Sequence, residues 1–250
     1  MSNKFVPRIY IEAELFESGI AVQDQAKAHY LRTVMRLNVG SEVFLFNETD
    51  GEFLAKIKAL SKSSVEFEVA HCVREPYMGA DVTLLTAPIH KDNFRFIIEK
   101  GTELGVRHFQ PVITEFTNAP KVRIDKANEH ALNAAEQCER LDIPKISQPE
   151  KLSTIMRRWD TDKPIVYCCE RGGKPIAEIS EKIEDKPLTV LIGPEGGFSE
   201  EEHKWLSSQK HIHPISLGPR IMRAETATIA VLSALQSSIG DWDDEIIYIG

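Results

Sequence analysis

The chain has 250 residues, 42% of them hydrophobic and 27% charged, with 30 Lys and Arg against 38 Asp and Glu for a net charge of -8. That length supports one large domain or two modest ones around a substantial core, and no apolar run reaches the ~20 residues of a membrane helix. The acidic balance excludes a basic nucleic-acid coat, but Asp241, Asp243, Asp244 and Glu245 supply four of the charges, and an RNA enzyme needs only a local basic surface.

The start, MSNKFVPRIYIEAELF, lacks the charged, apolar and small-residue segments of a secretory signal, so a cytoplasmic protein is expected. Residues 1–72 read as a small β-rich domain. RIYIE is strand-like, and a helical stretch over Gln25–Leu37 carries Tyr30, Val34 and Leu37 on one face. Asn38 and Gly40 mark a turn. EVFLF and EFLAKIKAL flank Thr49, Asp50 and Gly51 as a hairpin, and SVEFEVAHC adds an alternating strand. Arg32 and Arg36, four apart, share a helix face that is either a solvated basic surface or a contact for two phosphates.

Residues 73–80, with Pro76 and Gly79, read as a linker to a second domain over 81–250. DVTLLTAP opens that domain as a buried strand, Asp92–Leu104 follows as a helix closed by Gly105, and Asp125–Leu141 is an alanine-rich helix. PIVYCCE is a further buried strand, followed by Gly172 and Gly173. Strands alternating with helices imply an α/β domain with a mostly parallel sheet. No CxxC pair joins Cys72, Cys138, Cys168 and Cys169, and His211 and His213 lack a third ligand at zinc spacing, so no metal site is expected.

The most informative stretch is Leu188–Leu235. Leu188–Ile192 is apolar without alternation, as in a strand buried on both faces. Gly193, Gly196 and Gly197 then clear side chains from the main chain, and Ser199 with Glu202 forms a capping-box pattern that starts a helix. Ile212–Leu217 repeats the run, Gly218 and Pro219 punctuate it, and Ala227, Ala230, Val231, Ala234 and Leu235 recur at helical spacing. Two ordinary strand-to-helix turns are one explanation. The P-loop lysine and the dinucleotide glycine spacing are absent, which disfavours a generic nucleotide-binding protein.

LIGPEGGFSEEE and SLGPRIMRAETA resemble the two C-terminal signature motifs of the RsmE family, and KGTELGV and AAEQCER are similar to further family segments. HYLRTVMRLNVG resembles the N-terminal PUA-like RNA-binding module of that family. The resemblance runs over nearly the whole chain and is strongest from Thr189 to Thr226. It implies a C-terminal SPOUT domain with a trefoil knot, binding S-adenosylmethionine, and a homodimer that methylates N3 of a uridine in 16S rRNA. Two positions depart from the family pattern: Phe116 stands where an arginine is usual, and Asp142 where some relatives are basic.

With the resemblance, the cofactor candidates are the backbone groups of Ile192, Gly193, Gly197, Leu217 and Gly218, the turn residues Glu195 and Gly196, and the apolar side chains of Ile192, Leu217 and Ile221. The acceptor nitrogen of uracil must lose a proton, and cationic groups near its oxygens stabilise the resulting anion. Arg220 and Arg223 are the candidates, with capping of carbonyls or phosphate binding as their ordinary alternative. Glu225, in the first turn of a helix, either removes the proton or orients an arginine. Arg8, Arg32, Arg36 and Arg140 are the RNA-binding candidates. A ribose 2′-O-methyltransferase of the same superfamily and a non-catalytic RNA-binding factor remain as alternatives.

Overall fold

The computed structural model describes residues 6–118, 121–170, 172–183 and 187–245. The chain divides into two compact units: one takes in the chain up to Met78 together with Ala135–Ile143, the other Gly79–Ala134 with Pro144–Asp244.

In the first unit β1 (Arg8–Tyr10), β2 (Ile20–Gln23), β3 (Glu42–Asn47), β4 (Gly51–Leu60) and β5 (Val65–Arg74) form one sheet in the order β1-β3-β4-β5-β2. β1 runs parallel to β3, and the other neighbours are antiparallel. The β3–β4 turn is set by Asn47, whose Oδ1 accepts the N–H groups of Thr49 at 2.9 Å and Asp50 at 2.7 Å. Inward alternation collects Val43, Leu45, Ala55, Ile57, Val65 and Phe67 into the core. β5 continues to Arg74, two residues into the segment expected as linker.

The helical stretch expected over Gln25–Leu37 is shorter and changes type. Asp24 caps α1 (Gln25–His29) by accepting from Ala26 and Lys27, and a π-helical turn, Tyr30–Val34, follows. The wider turn rotates the buried side. Ala28 and Leu31 enter the core, while Tyr30 and Val34 are 41% and 61% exposed. Arg36 lies beyond the turn at φ +54°, so Arg32 and Arg36 do not share the helix face that their spacing predicts.

Arg8 corrects an expectation more strongly. Expected at an RNA surface, its side chain is only 7% exposed and pairs with Glu52 at 2.5 Å. Its guanidinium sits 4.2 Å from the Phe46 ring centre and donates to the carbonyls of Ala135, Glu136 and Arg140. Arg74 pairs with the same Glu52 at 2.9 Å and donates to the Glu139 carbonyl at 2.7 Å. The end of a helix leaves carbonyls without intrahelical donors, and two arginines held by one carboxylate supply them. Arg140 closes on the buried Asp142 through bonds of 3.0 and 2.6 Å. Asp142 is thus a packing partner of Arg140, which itself is mostly buried.

The second unit holds β6 (Val82–Thr86), β7 (Val106–Ile113), β8 (Lys145–Ile146), β9 (Glu150–Lys151), β10 (Ile165–Cys168), β11 (Lys174–Pro175), β12 (Leu188–Ile192) and β13 (Ile212–Ser216). Their order is β11-β13-β10-β12-β6-β7-β8, with β9 beside β7, and these pairings are all parallel. The helices are α2 (Lys91–Glu103), α3 (Ile124–Gln137, of which Ala135 onward belongs to the first unit), α4 (Leu152–Arg157), α5 (Ile176–Ile183), α6 (Glu200–Ser208) and α7 (Ala224–Ile239). α3 stops short of the expected Leu141, and Glu139 lies beyond it at φ +64°. Gly105, at φ +86°, follows α2 in the left-handed role expected of it.

β12 is buried at every position. Val190 and Ile192 pack with Ile97, Ile98, Val231 and Leu235 from α2 and α7. Leu191 points the other way, into Leu152, Ile155 and Leu206 of α4 and α6. Helices on both faces are therefore the reason for the unalternating apolar run. β10 stands between β12 and β13, so the chain passes β10 on its way from one to the other. Among the described residues, no helix is long and apolar enough to cross a membrane.

Candidate active site

Three segments leave the second sheet at its carboxyl edge and enclose a cavity of about 660 Å³, within the roughly 300–1,000 Å³ range of small-molecule sites. They are the residues after β10, the turn after β12 and the stretch before α7.

The turn after β12 closes through the Gly197 N–H, which donates to the Pro194 carbonyl at 2.9 Å, with Gly197 at φ +70°. Its exit is fixed by the capping box of α6: Ser199 Oγ accepts the Glu202 N–H, and the Glu202 carboxylate accepts the Ser199 N–H. A Cβ at Gly193 would lie 2.9 Å from the Phe198 ring, and one at Gly197 3.1 Å from Glu170 Oε1. A Cβ at Gly196 would come within 3.3 Å of the Phe116 Cβ. The glycines therefore leave a main-chain wall that larger residues would close, which fits a flat ligand approaching backbone groups.

Beside it, Tyr167 of β10 is fully buried, stands edge-on to the Phe198 ring at 5.4 Å, and hydrogen-bonds through its hydroxyl to His203 of α6. Burial pushes the Tyr167 phenol up from its ordinary range. The thiols of Cys168 and Cys169 are likewise pushed up, chiefly by burial, so both stay protonated and uncharged at neutral pH. Ile221, Met222, Arg223, Ala224 and Ala227 form the third wall. Among the described residues, the lining carries the carboxylates of Glu170, Glu195 and Glu200 and the guanidinium of Arg223.

Six expected cofactor residues meet in this cavity: Ile192, Gly193, Glu195, Gly196, Gly197 and Ile221. Leu217 and Gly218 do not line it. The Leu217 side chain packs against the core, and Gly218, at φ +104°, is exposed in a turn where its N–H binds Ser216 Oγ. Of the catalytic candidates, Arg223 lines the cavity from the N-cap position of α7, whereas Arg220 is exposed outside the lining. Glu225 lies in the first turn of α7 with its Oε2 buried and without a hydrogen-bond partner. Arg32 and Arg36 are exposed in the first unit, and Arg8 and Arg140 are occupied internally. Tyr167, Cys168, Cys169, Glu170, Phe198 and His203 also line the cavity, and no spacing in the sequence pointed to them. The signal available was PIVYCCE, a buried strand whose end joins the glycine turn only once β10 is known to neighbour β12. Among the described residues, no group of three or more His, Cys, Asp or Glu side chains could hold a metal ion.

Residues 76–236 match the family model for an RNA methyltransferase domain, and residues 22–70 that for an RNA methyltransferase PUA domain. A ribosomal RNA small subunit methyltransferase E from Rickettsia conorii is 34% identical over 92% of this chain and 94% of its own length. A putative methyltransferase from Legionella pneumophila, solved with bound SAM, superposes with a TM-score of 0.85 at 28% identity over 95% of this chain and 99% of that one. A ribosomal RNA small subunit methyltransferase E from Neisseria gonorrhoeae, with a TM-score of 0.86 at 24% identity, shares the fold over 95% of this chain and all of its own.

Proposed function

The chain belongs to the ribosomal RNA small subunit methyltransferase E family, and on that premise we propose that it transfers a methyl group from S-adenosylmethionine to N3 of a uridine in 16S rRNA. The observation that carries this reading is the glycine-walled cavity at the carboxyl edge of the sheet, with Arg223 in its lining. Parallel α/β sheets bind ligands at that edge.

S-adenosylmethionine, when bound, supplies a methyl group on a cationic sulfur. The main-chain wall from Ile192 to Gly197 would hold the adenosyl portion by backbone hydrogen bonds and apolar contact, with Ile192 and Ile221 as its hydrophobic side chains. Glu170 and Glu195 would accept hydrogen bonds from hydroxyl or amino groups of the donor. A carboxylate pressed against the sulfur would stabilise a charge that disappears on transfer and so favour the ground state.

The uracil N3 proton must leave before that nitrogen attacks. Arg223 lies over the cavity at the start of α7 and stabilises the negative charge that develops on the uracil oxygens. Glu225 orients this arginine or receives the proton. Arg32 and Arg36 of the N-terminal unit contact RNA phosphates.

The same reading includes a homodimer in the cytoplasm, a trefoil knot in the second unit and domain limits of 1–72, 73–80 and 81–250. The position of β10 between β12 and β13 supports a threaded connection. The test is methyl transfer from labelled S-adenosylmethionine to small subunits lacking the modification, followed by nucleoside digestion and mass analysis. N3-methyluridine is expected; a 2′-O-methyl product rejects the assignment of the acceptor atom. Sedimentation of the full chain reads the oligomeric state.

A further inference from the structure

A second cavity, of about 420 Å³, lies in the same unit, walled by the start of α2, the segment 121–123 and the first turns of α3. Its floor is apolar, made by Ile89, Phe94, Ile98, Val122 and Ala127. Its rim is cationic: Lys91, Arg95, Lys121, Arg123 and Lys126 line it with His130, and among the described residues no carboxylate does. In a chain of net charge -8, such a lining marks a local exception.

Part of this charge is compensated from outside the lining. Arg95 faces Glu99 at 3.6 Å, as does His130, while Arg123 pairs with Asp125 and Lys126 with Glu129, each at 2.5 Å. Asp92 also lies in the first turn of α2. Among the described residues, Lys91 and Lys121 take part in no ion pair, and both are exposed.

The position ties this slot to the candidate active site. β6 leads into α2, and Thr86 at its end pairs with Ile192 at the end of β12, so the start of α2 that walls the slot follows the same carboxyl edge as the glycine turn. Phe116 lies beside the glycine turn of the first cavity, where a Cβ at Gly196 would come within 3.3 Å of it, and Lys121 of the second follows five residues on in the sequence.

We propose that this cation-rimmed apolar slot is a second RNA subsite, which takes an unstacked base near the target uridine and holds its flanking phosphates with Lys91 and Lys121. Single-stranded RNA is recognised by splayed bases against apolar or aromatic surfaces, with Lys and Arg on the phosphates. A floor without polar groups gives shape without base identity, so the site is a grip on the strand. The inference rests on the RNA methyltransferase reading above.

The test uses the full chain with small subunits carrying 4-thiouridine in their RNA. Photocrosslinks are expected in peptides 89–98 and 121–130; crosslinks confined to other peptides overturn the proposal. The double substitution Lys91→Glu with Lys121→Glu is expected to weaken binding to small subunits at least tenfold. It should also flatten the slope of log K against log salt by about 0.7–0.9 for each phosphate no longer neutralised, with affinity for S-adenosylhomocysteine unchanged. An unaltered subunit affinity and slope rejects the subsite. So does loss of a dimer in sedimentation with RNA binding intact, since a second copy of the chain would then be the occupant. Should the unsubstituted protein bind S-adenosylhomocysteine but methylate no small-subunit RNA, the functional reading fails separately, and the crosslink map still decides the slot.

Discussion

The backbone N–H of Glu115 donates to Oε1 of Glu202 at 2.9 Å, while the other oxygen of the same carboxylate accepts the N–H of Ser199 at 3.1 Å. One side chain thus anchors both the capping box of α6 and the segment carrying Phe116, and these bracket the glycine turn. Hydrogen bonds to a charged group are worth about 1.5–3 kcal/mol each when protected.

Glu202→Ala is therefore expected to lower unfolding free energy by about 2 kcal/mol, discounted for partial exposure. Glu202→Gln, which keeps one carbonyl acceptor, is expected to lose about half as much. Denaturant unfolding measures both. Titration calorimetry with S-adenosylhomocysteine should show weaker binding in the same order, because the turn loses its fixed exit.

Gly193 and Gly197 separate backbone strain from ligand exclusion. Gly197→Ala must hold a Cβ at φ +70°, at a cost of about 1–2 kcal/mol. Gly193 has no positive φ, but its added methyl would meet the Phe198 ring at 2.9 Å and displace it within the cavity. Gly193→Ala is expected to cost more than tenfold in S-adenosylhomocysteine affinity with a smaller change in stability. An intact affinity would remove this cavity as the cofactor site.

Elements were legible in the sequence where local chemistry alone decides them. Leu188–Ile192 without alternation gave a strand buried on both faces, and Ser199 with Glu202 gave a capped helix start. The apolar spacing of Tyr30 and Val34 misled because a π-helical turn changes which residues face inward. Leu217 and Gly218 lie outside the lining of that cavity, since a glycine after a strand signals a turn but not its direction. Tyr167, Glu170 and His203 reach the site through strand order, which is a non-local property that no spacing within one segment encodes.

Arg8 shows the same limit for charge. Its carboxylate partner, Glu52, and the carbonyls it satisfies at 135, 136 and 140 are distant in sequence. Breaking a buried pair by removing one member costs about 3–5 kcal/mol, so Arg8→Ala is expected to reduce stability strongly and leave the salt slope of RNA binding unchanged. Arg32→Ala should do the reverse, with a slope about 0.7–0.9 shallower and stability near that of the parent. Thermal unfolding and binding titrations across a salt series separate the two.

The raised pKa values of Cys168 and Cys169 carry a prediction for reactivity. Only the thiolate attacks alkylating reagents, and burial holds both thiols in the neutral form. Iodoacetamide at pH 8 is therefore expected to modify them far more slowly than a free cysteine, and denaturation should abolish the difference. For Cys169, which lines the cavity, S-adenosylhomocysteine should slow modification further. Peptide mass analysis of a labelling time course reads each site.

Arg223 and Glu225 provide the sharpest test of the chemistry. Among the described residues, Arg223 is the one guanidinium lining the cavity, and loss of a preorganised charge that stabilises the developing anion costs about 10²–10³ in kcat. Arg223→Ala is expected to lose that much while S-adenosylhomocysteine still binds, and Arg223→Lys should recover part of it, since it keeps the charge but not the planar fork. Glu225 presents a buried oxygen with no partner, an arrangement that costs stability and suits a group waiting for a proton or an arginine. Glu225→Gln preserves its shape and removes its charge, and is expected to lower kcat with little effect on cofactor binding. If transfer by Glu225→Gln is undiminished while Arg223→Ala is crippled, the carboxylate has no part in the step and solvent takes the uracil proton under the field of Arg223 alone.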